Sequence, residues 1–540
     1  MYFSYPRRFT GRRSAVMATG GMVATSQPLA ARAGLRVLED GGTAADAAVT
    51  AAAVLGVVEP HMTGLGGDLF ALVHRDGEVV GYNGSGAAPA AASIERYRRE
   101  TTATDADGEP AIPVDGGLPI TVPGALDGWL RLLDRFGTHD LAEALEPAIQ
   151  YAREGFPVSE FVAAQWARLA PRLRRDEAAA STFLVDGGAP APGERFVNPA
   201  LAETLDAVAE AGIGTFYGGA LGAAVAAAVQ AAGGHLDRAD LAAHEGEWTE
   251  PISTTYRGVE VLEHPPNGQG AIALEALNVA ETFDLDADPA DPERLHALIE
   301  AHKLGCADGS AYLADPAAVD VPLEAMLDKG YAAERAAEIG RRAGTFEARA
   351  AGSGHDTVYL TAVDRDGTAV SLINSLYYGF GSGVVTNGFA LHNRGHSFRL
   401  DPSHPNALAP GKRPFHTIIP AMLREDGEFR ASWGVMGGAM QPQGHLQVVA
   451  ALVDSGLNPQ AALDVPRFRW LDGRRVAIET DRLPAATVDA LRQRGHEVVD
   501  LATYAEAGGH FGSGQCIYRT PDGTLIGGSD PRRDGLAVGF

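Results

Sequence analysis

Two hydroxyl side chains stand nine residues either side of one aspartate. In SGHDTVYLTAVDRDGTAVSLINSLYYGFGSG, residues 353–383, Thr357 precedes Asp366 and Ser375 follows it at equal spacing. The runs Val358–Val363 and Ala369–Asn374 are rich in β-branched residues and joined by the polar turn Asp364-Arg365-Asp366-Gly367, which predicts an antiparallel hairpin. With the turn centred on Asp366, the register sets Thr357 opposite Ser375 at the open end. Such a pair can be ordinary sheet packing, worth about 0.2–1 kcal/mol. It can also be a nucleophile beside a supporting hydroxyl. The preceding EARAAGSGHD, residues 347–356, has no periodicity, and an exposed irregular stretch there suits cleavage of the chain between Asp356 and Thr357.

A second chemistry is open to His392, His396, His404 and His416, which fall within 25 residues. Histidines four apart face one metal only on a helix, and Gly395, Pro402, Pro405 and Pro410 interrupt this segment. Metal catalysis is therefore not expected, and no organic cofactor is implied.

The elements that must position these residues belong to a large, turn-rich chain. Its 540 residues are 45% hydrophobic with 66 glycines and 32 prolines, a composition of globular enzymes, and length alone allows several domains or one continuous core. A net charge of −25 argues against nucleic acid and against an anionic membrane surface, both of which need clustered basic residues. Lysine occurs only at Lys303, Lys329 and Lys412, so arginine carries almost all the positive charge; with the acid excess this points to a GC-rich, salt-adapted source. Two cysteines, Cys306 and Cys516, are too few for a disulfide scaffold and fit a reducing compartment. PRRFTGRR near the start resembles a twin-arginine export signal, but SAVMATGGMVATSQPLA behind it is broken by polar residues, and a cytoplasmic location is expected.

Helical spacing runs from Pro28 to Asp40 and ends at Gly41-Gly42, where Thr43 can cap an Ala-rich helix reaching Val58. Leu65-Gly66-Gly67-Asp68 leads into LFALVHRDGEVVGYN, a hairpin turning at Asp76-Gly77. Leu126–Phe156 and Leu201–Ala243 each read as two amphipathic helices.

Many segments together resemble the γ-glutamyltranspeptidase family of N-terminal-nucleophile hydrolases. They include GMVATSQPLAARAGLRVLEDGGTAADAAV, TVPGALDGW, FGTHDLAEALEPAIQYAREGF, FYGG, DLAAHEGEWTEPISTTYRGVEV, EAHKLGCADGSAYLADP, TVYLTAVDRDGTAVS, FGSGVV, GKRPFHTIIPAM and GVMGGAMQPQGH, in family order along nearly the whole chain. The resemblance implies an α+β fold, a four-layer αββα sandwich. It implies a precursor cut into a large chain, residues 1–356, and a small chain, residues 357–540, folded as one unit. Thr357 would attack its preceding carbonyl by an N-to-O acyl shift and emerge with a free α-amine. An α-amine titrates near 7.7–8.0, so it can serve as general base near neutral pH. Ser375 falls where the family keeps a second threonine hydroxyl, and Gly437-Gly438 match the paired glycines whose N–H groups hold the oxyanion.

The pocket departs from the family pattern. The arginine and two serines that hold a γ-glutamyl carboxylate correspond to Ser85, His416 and Thr417; the acid, glutamine and asparagine that hold its ammonium correspond to Ser397, Arg394 and Tyr377. An ammonium without its acid is costly to desolvate, and Arg394 repels it. Arg394, with His416 and Thr417, suits a carboxylate instead. NRGHSFRLDPSHPNALAPGKRPFHTIIPAM resembles a side branch that includes oxamate amidohydrolase and glutathione hydrolase-like proteins. The expected activity is hydrolysis of a small, carboxylate-bearing amide such as oxamate through an acyl ester on Thr357. A true γ-glutamyltransferase, with Asp401 supplying the missing acid, is the alternative, and an uncleaved binding protein a more distant one. The partners expected are the small-molecule substrate and the two chains of one precursor; a homodimer or larger oligomer is left open.

Overall fold

The computed structural model describes residues 13–346, 356–501 and 509–540. Two seven-stranded sheets, with neighbouring strands antiparallel throughout, form its centre. The first runs, in spatial order, Leu536–Gly539, Met22–Thr25, Asp356–Val363, Ala369–Tyr377, Asp68–Arg75, Glu78–Asn83 and Glu247–Thr249. The second runs Val16–Ala18, Leu525–Ser529, Ser513–Arg519, Glu428–Met436, Ala421–Glu425, Val259–Glu263 and Ile252–Tyr256. Both sheets interleave strands from either side of the Asp356–Thr357 bond.

The sheets face each other across a small apolar layer of Met22, Ala24, Leu72, Leu262, Met422 and Ile517. A polar seam crosses it: Tyr359 Oη lies 2.8 Å from Ser371 Oγ in its own sheet and 3.4 Å from Ser432 Oγ in the other. Helices cover both outer faces. Pro28–Glu39 and Ala44–Val58 lie on the first sheet, and Gly270–Glu281, Pro292–Tyr312 and Met440–Val453 on the second, giving the four layers αββα.

Local sequence accounts for the elements nearest the opening question. Ala44–Val58 is buried on every side, which its alanines permit by letting neighbouring backbones approach; Thr43 and Asp46 close its N-terminus as a reciprocal capping box. Asp76 and Gly77 take φ of 53° and 82°, the left-handed pair of a two-residue hairpin turn. The expected pair of helices in 126–156 is present as Ala125–Phe136 and Leu141–Glu154. Residues 201–243 hold two long helices, Pro199–Ala211 and Ala220–Ala231, plus two short segments that Gly and Asp breaks cut off, Gly214–Tyr217 and Arg238–Ala242. Met22–Thr25, inside the stretch weighed as an export signal, is a buried strand of the first sheet; the arginine pair at 7–8 lies outside the described residues. Among the described residues no single helix is long and apolar enough to cross a membrane.

Candidate active site

Three neighbouring strands of the first sheet bring the chemistry together at one end. The hairpin register pairs Val358 with Asn374 and Val363 with Ala369, as symmetry about Asp366 requires. At the open end the register slips by one: Asp356 pairs with Tyr377, so Ser375 and Leu376 form a bulge opposite the single residue Thr357. Ser375 pairs on its other side with Asp68. The GLGGD approach to Asp68 passes so close that a Cβ on Gly67 would stand 2.6 Å from the Ser375 carbonyl oxygen, which is why glycine is needed there. Residues 347–355, where an irregular cleavage region is expected, lie outside the described residues.

Thr357 Oγ1 and Ser375 Oγ are 3.0 Å apart and buried. Ser375 has further partners. Its Oγ accepts from the Tyr377 N–H at 2.9 Å and from Arg394 Nη2 at 3.3 Å, two donors that cannot reverse roles. Either hydroxyl can donate in the Thr357–Ser375 pair, each having one proton and two lone pairs. Tyr377 adopts φ 75° to turn its N–H back, and its ring lies 4.2 Å from the Arg394 guanidinium carbon, a cation–π platform.

Arg394 opens the short helix Arg394–Ser397 and is fully buried. Its Nη1 donates to Thr417 Oγ1 at 2.9 Å and its Nε to Asp68 Oδ2 at 3.2 Å. Asp68 was not among the residues that the sequence singles out, yet it organises the site. Its Oδ2 also accepts from His416 Nε2 at 3.0 Å and lies 3.4 Å from His392 Nδ1. Burial alone would raise the Asp68 pKa, but His392, His416 and Arg394 outweigh it and hold the carboxyl well below the usual range. The same burial, reinforced by Arg394, pushes His416 down to about 3, so at neutral pH it is an uncharged ring.

His416 therefore differs from its expected role as a substrate donor. Its Nε2–H is spent on Asp68 and its Nδ1 accepts from the Ile418 N–H at 3.3 Å, leaving neither nitrogen for a ligand. Ser397 is likewise a structural clasp, its hydroxyl between the Arg394 and Phe415 carbonyls at 2.9 and 2.8 Å. Ser85 is buried and accepts from Asn267 Nδ2 at 3.2 Å. Asp401, considered as a replacement acid, faces solvent and accepts from Ser403. The four histidines weighed as metal ligands do not converge: His392 and His416 meet at Asp68, His396 bonds the Ile112 carbonyl, and His404 accepts from the Asn406 N–H.

Gly437-Gly438 links the strand Glu428–Met436 to the helix Met440–Val453 at φ of 131° and 60°. Their carbonyls accept from Met440 and Gln441. Among the described residues their N–H groups have no acceptor, and the helix N-terminus behind them adds positive potential, a suitable cradle for an oxyanion. Gln269, also absent from the sequence reading, ties this turn to the Arg394 cluster: its Nε2 donates to the Gly438 carbonyl at 3.0 Å and to the Thr417 carbonyl at 2.6 Å.

Away from this site, His296, Glu300 and His496 also approach one another. Glu300 is satisfied by Lys303 and the Gly344 N–H, and His296 by the Gly340 carbonyl and His496. The cluster closes as a hydrogen-bonded junction joining residues on either side of the Asp356–Thr357 bond.

Comparison with known proteins identifies the family. The family model described as Gamma-glutamyltranspeptidase matches residues 30–540. A glutathione hydrolase-like YwrD proenzyme of Bacillus subtilis is 41% identical over 97% of this chain and 99% of its own. The oxamate amidohydrolase proenzyme of Klebsiella pneumoniae is 37% identical over 98% of this chain and 100% of its own. Among solved structures, a cephalosporin acylase from Bacillus halodurans superposes with a TM-score of 0.92 at 44% identity, covering 100% of this chain and 99% of that one. The chain belongs to the γ-glutamyltranspeptidase family and, with it, to the N-terminal-nucleophile amidohydrolases.

Proposed function

We propose that the chain is a precursor that cuts itself between Asp356 and Thr357, and that the freed Thr357 hydrolyses small amides whose acyl group carries a carboxylate and no ammonium. In the first reaction Thr357 Oγ1 attacks the Asp356 carbonyl carbon, the acyl group passes from nitrogen to oxygen, and water hydrolyses the ester. That leaves residues 1–356 and 357–540 as two chains of one fold. In the second, the Thr357 α-amine takes the proton of its own hydroxyl as Oγ1 attacks the amide, then delivers it to the departing amine. Ser375 donates to Oγ1 as negative charge builds there, and the Gly437 and Gly438 N–H groups receive the carbonyl oxygen. Water repeats the sequence on the acyl ester and regenerates Thr357. The relatives named as proenzymes support a processed precursor, and the one named for oxamate supports a carboxylate-bearing acyl group.

One observation carries the substrate reading: the Arg394 guanidinium donates to Ser375, the hydroxyl paired with the nucleophile, so a cation faces the reacting centre. Asp68 balances that charge at 3.2 Å, so the preference for a carboxylate rests on the guanidinium N–H groups, which donate and cannot accept. A second reading has its own support, since Asp68 Oδ1 is buried with no partner among the described residues and could accept an ammonium, as a γ-glutamyl group requires. The two separate in a side-by-side assay of processed protein. Ammonia release from oxamate is expected to exceed chromophore release from a γ-glutamyl anilide by at least about tenfold in kcat/KM, a difference of about 1.4 kcal/mol in barrier. A faster anilide reaction would overturn the substrate reading and assign Asp68 to the ammonium.

A further inference from the structure

We infer that His445 and Gln441 hold open a fork between two strands of the second sheet, and that with Gln269 they are positioning residues that set the Gly437-Gly438 N–H groups at their working distance from Arg394 and Thr417. This rests on reading Gly437 and Gly438 as the oxyanion donors.

The strands Ala421–Glu425 and Glu428–Met436 pair as far as Ala421 with Trp433 and then part. Pro420, which has no N–H to give a ladder, stands at the point of separation. Carried on, the register would set Ile419 against Val435 and Thr417 against Gly437. The parted ends are two sides of the site: one carries Thr417, which accepts from Arg394, and the other runs into Gly437-Gly438.

Side chains of the helix Met440–Val453 fill the fork. Gln441 and His445, four residues apart on one helix face, take one backbone N–H from each arm: Ile419 N–H donates to Gln441 Oε1 at 3.0 Å, and Val435 N–H to His445 Nε2 at 3.1 Å. Because Nε2 accepts, the His445 ring proton is on Nδ1, and it goes to Glu263 Oε1 at 2.6 Å. Glu263 belongs to the strand paired with Ala421 at the base of the fork. Gly444 lets the helix come this close, since a Cβ there would stand 2.6 Å from Val435 Cγ1. Gln269 ties the tips, donating to the Thr417 and Gly438 carbonyls. Gln441, His445 and Glu263 are fully buried, so a backbone N–H that loses its acceptor here has no water to turn to. Val435 is two residues before Gly437, so a shift of its N–H moves the oxyanion donors, and a misplacement of about 1 Å at a reacting centre costs about 100-fold.

The test separates the two nitrogens of His445. An asparagine amide reaches the position of Nδ1 and keeps a donor for Glu263; a glutamine amide reaches that of Nε2 and keeps an acceptor for Val435. His445→Asn, His445→Gln and Gly437→Ala are prepared as two-chain protein, checked on a denaturing gel, and assayed beside wild type on whichever of oxamate and the γ-glutamyl anilide the wild type turns over. His445→Asn is expected to lower kcat at least about tenfold with KM within about twofold, the pattern of an interaction felt only in the transition state, and His445→Gln to recover at least about fivefold of that loss. A purely structural role for the His445–Glu263 pair predicts the reverse order, because glutamine is the variant that leaves Glu263 without its donor. That order, or wild-type kcat in His445→Asn, overturns the inference. Gly437→Ala distorts the turn directly, since φ of 131° is strained for any side chain; full kcat in that variant would instead overturn the oxyanion reading. Should His445→Asn not accumulate as two chains, Gln269→Met, which cuts the tie between the tips, carries the same expected loss of kcat, and wild-type kcat there overturns the inference.

Discussion

Thr357→Ala yields one uncut chain and no measurable amide turnover. The alanine removes the hydroxyl proposed to attack the Asp356 carbonyl, so no new N-terminus forms and no α-amine becomes available as base. Removal of a hydroxyl nucleophile in comparable acyl-transfer enzymes costs on the order of 10⁶ in kcat. In the proposed mechanism the loss is compounded, because the same residue supplies both nucleophile and base. The alanine does not disturb the strand, whose neighbours Val358 and Tyr359 remain fully buried, so the variant should fold. A denaturing gel and an ammonia assay read both effects, and cleavage persisting in the variant would remove Thr357 from the processing step.

Asp68→Asn should cost about 3–5 kcal/mol of stability, because it strands the buried Arg394 cation without its counter-charge. Its urea midpoint is best compared on the Thr357→Ala background, where every molecule stays uncut. Asp68→Asn combined with Arg394→Gln should recover part of the loss, since removing both charges avoids the unpaired one. The pH dependence has a defined sign. The folded protein holds Asp68 below its ordinary value near 3.8, so the ion pair stabilises fully above that pH and fades as pH falls through the folded value. The difference between wild type and Asp68→Asn should therefore be largest near neutrality and shrink in strong acid. His416, neutral in the fold down to about 3 but titrating near 6.5 when unfolded, makes the wild-type protein lose stability as pH falls below about 6.5. A midpoint for Asp68→Asn equal to wild type at pH 7 would show that Arg394 does not depend on Asp68.

The sequence made the nucleophile hairpin legible because every level of it agrees: β-branched alternation, a polar turn, and spacing that fixes register without knowledge of the rest of the chain. The bulge at Ser375 and Leu376, opposite Thr357, was not readable: it lies beside Tyr377, whose left-handed φ nothing in its residue type calls for. The capped helix Ala44–Val58 and the Asp76-Gly77 turn are local in the same way. Asp68 was missed for the opposite reason: its partners Arg394 and His416 lie 326 and 348 residues away, and one acid after two glycines reads as the end of a turn. His416 and Ser397 drew substrate roles from their alignment with family positions, which cannot show that both ring nitrogens, or the single hydroxyl proton, are already committed inside the protein. Gln269 carried no signal beyond a polar residue among glycines and prolines, and its role depends on reaching two carbonyls from segments more than a hundred residues downstream.

The central claim is that Thr357, freed as an N-terminus, carries the acyl group. The most direct measurement is intact-mass analysis of wild-type protein quenched in acid during turnover of an oxalic acid monoanilide, with fragmentation to locate any adduct. The account predicts two chains, the smaller beginning at Thr357 and bearing an oxalyl mass on that residue. A smaller chain with a different first residue, or an acyl mass located anywhere other than Thr357, would contradict it.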